Sequence, residues 1–206
     1  IVEGIQLRWP VQRNDAGHFD PTQEAFHHFL VDDEPLTPAG CAKCHTAGGL
    51  PLMLEHGTTI GLPSTSSLKC TTCHQELQEF TLRESPEVTF PSGATIAFDE
   101  PASNLCLNCH QGRESTFSIN AAVIRADVDD DEISELLRFV NPHYFAAGAT
   151  VFGSEASGAY QYDDQAYAGR FEHVKRYDTC SECHNVHALT VQKDECADCH
   201  EVEELA

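Results

Sequence analysis

The sequence predicts a chain of mostly coil with short α-helices, one or two small β-hairpins and little regular sheet, organised by bound groups rather than by a large side-chain core. Three observations carry that prediction. Cys-x-x-Cys-His occurs five times, at Cys41-Cys44-His45, Cys70-Cys73-His74, Cys106-Cys109-His110, Cys180-Cys183-His184 and Cys196-Cys199-His200, and uses all ten cysteines of the chain. The 206 residues allow about 41 per motif. Hydrophobic residues make up 41% of them, which is low for a large apolar interior.

Cys-x-x-Cys-His is the attachment pattern of c-type haem, in which two thiols form thioethers to the porphyrin and the adjoining histidine binds iron. A framework of five disulfides leaves the histidine after every second cysteine unexplained. Structural zinc sites pair Cys-x-x-Cys units, and five cannot be paired evenly. The expected cofactor is therefore five covalently bound haem c groups, with His45, His74, His110, His184 and His200 as proximal ligands and the porphyrins forming the core of a haem-organised fold. An apoprotein built this way is largely unfolded without its cofactor. One multihaem domain is expected over 1–206, with an arm and haems 1–3 in 1–110, an insert over 111–179 carrying distal ligands, and haems 4 and 5 in 180–206.

Taken in order, Ile1 to Gly40 holds no motif and reads as polar loop with a short helix at Pro21–Leu30 (PTQEAFHHFL). Proline at the start, Glu24 in the first turn and Phe26, Phe29 and Leu30 on one side support it. His27 and His28 within it point in different directions, since helical neighbours lie about 100° apart. After haem 1 comes an apolar, glycine-rich loop with His56 and the single methionine, Met53, which reads as packing beside Leu52 and Leu54 rather than as an axial ligand. Haem 2 opens a short helix at Cys70. Val88–Phe98 (VTFPSGATIAF) alternates around Pro91-Ser92-Gly93 and predicts a hairpin.

The first three motifs start 29 and 36 residues apart, too unequal for a strict repeat, and 69 motif-free residues separate His110 from Cys180. Within that stretch Asp127–Val140 (DVDDDEISELLRFV) reads as a helix with an apolar stripe of Ile133, Leu136, Leu137 and Val140. Its aspartates imitate the start of a calcium loop, but Glu132 stands where that loop requires glycine, so capping of the positive helix end is the reading. Tyr160 and Tyr162 before Asp163-Asp164, with Tyr167 and Phe171 beyond, predict a second hairpin. His143 and His173 bracket this region, which reads as a scaffold presenting both imidazoles to haems bound elsewhere.

Twelve histidines less the five in motifs leave seven: His18, His27, His28, His56, His143, His173 and His187. Five six-coordinate irons need five. His187 follows His184 by three residues, too close to share its iron, and is better placed to serve a neighbouring haem. His143 and His173 lie in aromatic settings suited to a porphyrin edge.

A net charge of −21 excludes a basic surface for nucleic acid or anionic lipid and suits an exposed protein meeting cationic partners or metal ions. No stretch approaches the ~18 apolar residues of a membrane span. Starting at Ile1 without initiator Met or signal peptide, the chain reads as already processed.

AFHHF with CAKCH, PSGA followed by LCLNCHQGRES, NPHYFAAGATVFG, RFEHV and CSECHNVHAL together resemble secreted multihaem cytochromes of metal-reducing microbes, some of which polymerise into conductive filaments. The resemblance runs from about His18 to His200. It implies an extracellular or cell-surface location, with the periplasm as the alternative, and bis-histidine haems in a continuous chain. His18, His28, His143, His173 and His187 stand at the distal positions, and His27 and His56 are in reserve. It further implies a head-to-tail homopolymer in which one distal histidine comes from the next subunit, His18 on the N-terminal arm holding that role. Redox proteins and extracellular metals or minerals are the expected donors and acceptors. The rival expectations are a multihaem reductase of nitrite, hydroxylamine or sulfite type with one open haem, a monomeric periplasmic electron carrier, and an acidic protein that merely carries haem.

Overall fold

In the computed structural model the described residues are 18–19, 24–30, 35–188 and 190–201. Among them the chain is mostly coil, with nine short helices and two antiparallel two-stranded sheets. The predicted fold class is the one observed. Helix α1 (Glu24–His27) runs into a 3-10 turn at His28–Leu30, which accounts for the described part of the expected first helix; Pro21 and the loop before His18 lie outside the described residues. Strand β1 (Leu36–Thr37) pairs with β2 (Leu62–Pro63), and the two bracket α2 (Ala39–His45) and α3 (Gly49–His56). Helix α3 replaces the loop expected around Met53. It runs so close to α2 that a Cβ at Gly49 would collide with the Ala42 carbonyl, so only glycine fits there.

Four of the attachment motifs are helical turns, α4 (Cys70–Cys73), α8 (Cys180–Cys183) and the ends of α2 and of α5 (Pro101–His110), while the fifth starts at the last residue of α9 (Lys193–Cys196) and runs on through a turn to His200. In three of them the histidine amide bonds back to the first cysteine carbonyl at 2.9 Å, as His74 to Cys70, His184 to Cys180 and His200 to Cys196. One turn places residues i and i+3 on one face, so both thiols project together and the histidine follows them directly.

The hairpin of β3 (Val88–Thr89) and β4 (Thr95–Ile96) is where the sequence places it, closed by Gly93 at φ +87°. It packs with α5 and with α7 (Ala147–Ala156) around a buried cluster of Val88, Phe90, Ile96, Phe98, Leu107, Phe152 and Ala156. Helix α5 is well specified locally. Pro101 opens it, and the Glu100 carboxylate caps it by accepting from the amides of Ala102 and Ser103 at 2.9 Å each. Its buried polar residues are satisfied: Asn104 accepts from Phe98 N at 2.8 Å, and Asn108 donates to Ser85 Oγ at 2.9 Å.

Two expectations are overturned. Asp127–Val140 is not a helix. The helix lies just before it, as α6 (Thr116–Ala126), entered through a Ser115/Ser118 capping box and closed by Asp127 in the left-handed region at φ +54°. Polar side chains beyond Asp127 compete with helical hydrogen bonding, the Leu136 amide bonding to Ser134 Oγ at 3.2 Å and the Asp129 amide facing Glu132 Oε2 at 3.4 Å. Ile133 and Leu136 of the supposed apolar stripe are exposed, Ile133 to 98%, while Leu137 and Val140 are half-buried. The second hairpin is also absent. The chain turns at 162–165, with the Tyr162 amide on Tyr167 Oη at 2.9 Å, and then lies along α7, Phe171 N bonding to Val151 O at 2.7 Å. Gly153, at φ +48°, kinks α7 to admit it; a Cβ there would meet the Gly169 carbonyl.

Candidate haem-binding site

Three proximal histidines share one device. Nδ1–H of His45 donates to the Ala25 carbonyl at 2.6 Å, that of His74 to Phe80 O at 2.6 Å and that of His110 to Phe145 O at 2.8 Å. A carbonyl can only accept, so each ring is held as the tautomer whose Nε2 lone pair is free for a metal. His28 is oriented alike, through Glu24 O at 2.6 Å. The acceptors carry no side-chain signature, and for that reason sequence reading does not find Ala25, Phe80 and Phe145.

Two imidazoles sharing one metal, each nitrogen about 2 Å from it as in other imidazole–metal bonds, place their ring centroids about 6 Å apart. Four proximal rings have a second histidine at that spacing. His74 faces His187 at 6.3 Å with planes 3° apart, His110 faces His18 at 5.7 Å, and His200 faces His173 at 6.1 Å. His45 has two such neighbours, His143 at 5.8 Å and His28 at 6.2 Å. Among the described residues no ring pair involves His184. His27 and His56 are exposed and face no proximal ring, His56 lying 4.0 Å from Glu55. The donor set therefore fits haem: paired thiols on one face, a histidine beside them, and a second imidazole across the gap.

The NPHYF loop serves two sites at once. The Asn141 carboxamide accepts from the His143 amide at 2.9 Å and holds His143 at φ +82°, in a region non-glycine residues rarely adopt. Such strain persists where surrounding structure imposes it, and it marks functional positions. Two residues on, the Phe145 carbonyl, itself at φ +53°, orients His110. Burial lowers the pKa of His45 and of His143, aided by the Arg113 charge at both. His18 falls to about 4 through burial and the nearby His110. Each shift favours the neutral imidazole that a metal ligand must be.

Cysteines of different motifs lie near one another: interaction with Cys109 lowers the pKa of Cys44, and interaction with Cys106 lowers that of Cys180, each to about 7.

A loop after His74 fixes that ring. The Glu76 carboxylate accepts from the amides of Gln78, Glu79 and Thr81 and from the Thr81 hydroxyl at 2.6–3.2 Å. These bonds lower its pKa from 4.5 to about 2. A carboxyl with a depressed folded pKa stabilises the fold above its unfolded value and loses that contribution as pH falls. Protection of those amides from hydrogen exchange is expected to hold above about pH 4.5 and fade toward pH 2. Glu76→Ala is expected to raise their exchange rates at pH 7 by on the order of tenfold or more, read by NMR.

No protein-family model matches the chain, and no solved structure matches it. Two curated proteins of Geobacter sulfurreducens are similar to it. C-type polyheme cytochrome OmcC is 29% identical over 78% of this chain and 24% of its own length. C-type polyheme cytochrome OmcB is 27% identical over 72% of this chain and 23% of its own. The chain thus spans about a quarter of the length of the curated relatives it matches.

Proposed function

We propose that this chain is an electron-transfer protein that holds five haem c groups and carries electrons along them outside the cell. The observation that carries the reading is the pairing of four proximal histidines with a second imidazole at 5.7–6.3 Å. Each bound haem supplies a one-electron iron couple whose potential the axial ligands set. The protein's part is to saturate both axial positions, which excludes substrate and water from the metal, and to hold neighbouring sites together through shared loops. The similarity to two polyheme cytochromes supports the same reading. No helix among the described residues is long and apolar enough to cross a membrane, and the charge of −21 favours cationic partners or extracellular metal acceptors over nucleic acid.

The histidine tally favours assembly. Among the described residues His45 has two imidazole neighbours and no ring pair involves His184, so a head-to-tail homopolymer in which His28 of one copy serves His184 of the next completes every site. This differs from the expectation for His18, which lies beside His110 of its own chain. That no ring pair involves His184 among the described residues is also the observation that favours the rival reading, a reductase with one open haem.

Low-temperature EPR separates the two. In assembled, oxidised protein only low-spin iron is expected, and His28→Ala is expected to give monodisperse particles by negative-stain microscopy with one high-spin haem in five. A high-spin signal in the intact assembly would favour the reductase. Unchanged filaments and spectra in His28→Ala would reject the role of His28.

A further inference from the structure

Helix α5 carries the third motif and touches two others. It packs against α2, which carries the first motif, and against α8, which carries the fourth. On one side Cys44 Sγ lies 3.9 Å from the carbonyl of Asn108, the residue before Cys109. On the other the Cys180 amide donates to Ser103 Oγ at 3.0 Å, one turn of α5 before Cys106. The NPHYF loop spans the first and third sites as well, presenting His143 to His45 and Phe145 O to His110.

A thioether sulfur is separated from the porphyrin ring by a single carbon, so attachment motifs packed on one helix bring their porphyrin edges close together. We propose that α5 sets the spatial order of the haems as 1–3–4, with haem 3 joined to haem 1 where α2 packs on α5 and to haem 4 where α8 packs on α5. The inference rests on the reading of the chain as a five-haem cytochrome and adds to it a path that departs from chain order. The longest motif-free stretch, 111–179, loops out and returns to close one of these junctions. Haem 2 instead approaches the haem 4 segment through His187, which faces His74.

Proton NMR of the fully reduced, diamagnetic holoprotein tests the order. Each thioether proton is assigned to its haem through the β-protons of its cysteine. Cross-relaxation peaks are expected between thioether groups of haems 1 and 3 and between those of haems 3 and 4. In Cys109→Ala, where haem 3 stays attached through Cys106, the 1–3 peaks should be lost and the 3–4 peaks kept. Five haems by mass with thioether peaks linking haem 2 to haem 3, or with none between 3 and 4, would overturn the order alone. A mass showing fewer than five covalent haems would overturn the cytochrome reading and the order with it.

Discussion

Phe152→Ala is expected to lower the unfolding free energy by about 3–5 kcal/mol, the range for truncating a buried aromatic ring. Phe152 is fully buried. Its ring meets Phe98 at 4.9 Å and Phe90 at 5.9 Å, and the Arg170 guanidinium stacks on it at 4.5 Å. It joins three elements, the β3–β4 hairpin, α5 and α7, and next to it Gly153 lets the 168–171 segment lie along the helix. The neighbours are held by hydrogen bonds at Asn104 and Asn108 and cannot collapse freely into the space. Guanidinium unfolding followed by far-ultraviolet circular dichroism reads the change as a shift in midpoint at constant slope. A loss under about 1 kcal/mol would mean that the haems alone hold this part of the chain together.

His187→Ala is expected to convert one haem in five from low to high spin while the other four keep their spectra. The ring of His187 faces His74 at 6.3 Å with near-parallel planes, and His74 is fixed from behind by the Phe80 carbonyl. Added imidazole should restore the low-spin spectrum, a rescue that a structural role for His187 would not show. His187→Met is expected to raise one potential by on the order of 100 mV, within the ~0.8 V range that axial ligation commands. Spectroelectrochemical titration checks this. An unchanged low-spin spectrum in His187→Ala would remove His187 from the ligand set.

Elements legible in the sequence were those specified within one turn or one hairpin. The PSGA turn closes β3 on β4 because glycine there takes a left-handed conformation, and the first cysteine carbonyl accepts the histidine amide four residues on wherever a motif forms its turn. Where the reading failed, two local tendencies competed. Ile133, Leu136 and Leu137 have helical spacing, but Glu132 and Ser134 offer side-chain hydrogen bonds to the same backbone, and Ile133 and Leu136 stay exposed. Tyr160–Phe171 has strand composition, but α7 supplies backbone partners for 168–171 that a hairpin would otherwise have provided.

The sequence by itself determined how many Cys-x-x-Cys-His motifs the chain carries, which cysteines and histidines form each, and which other histidines lie outside them. These follow from spacing along a single turn. Tertiary structure alone decided that His187 faces His74, that His18 faces His110 of its own chain, that His45 has two imidazole neighbours while none is described at His184, and that α5 lies between the first and fourth motifs. Those pairings join segments far apart in the chain. They depend on where α5, α7 and the NPHYF loop come to rest, which is set by packing around Phe152 and by backbone carbonyls that no side chain announces.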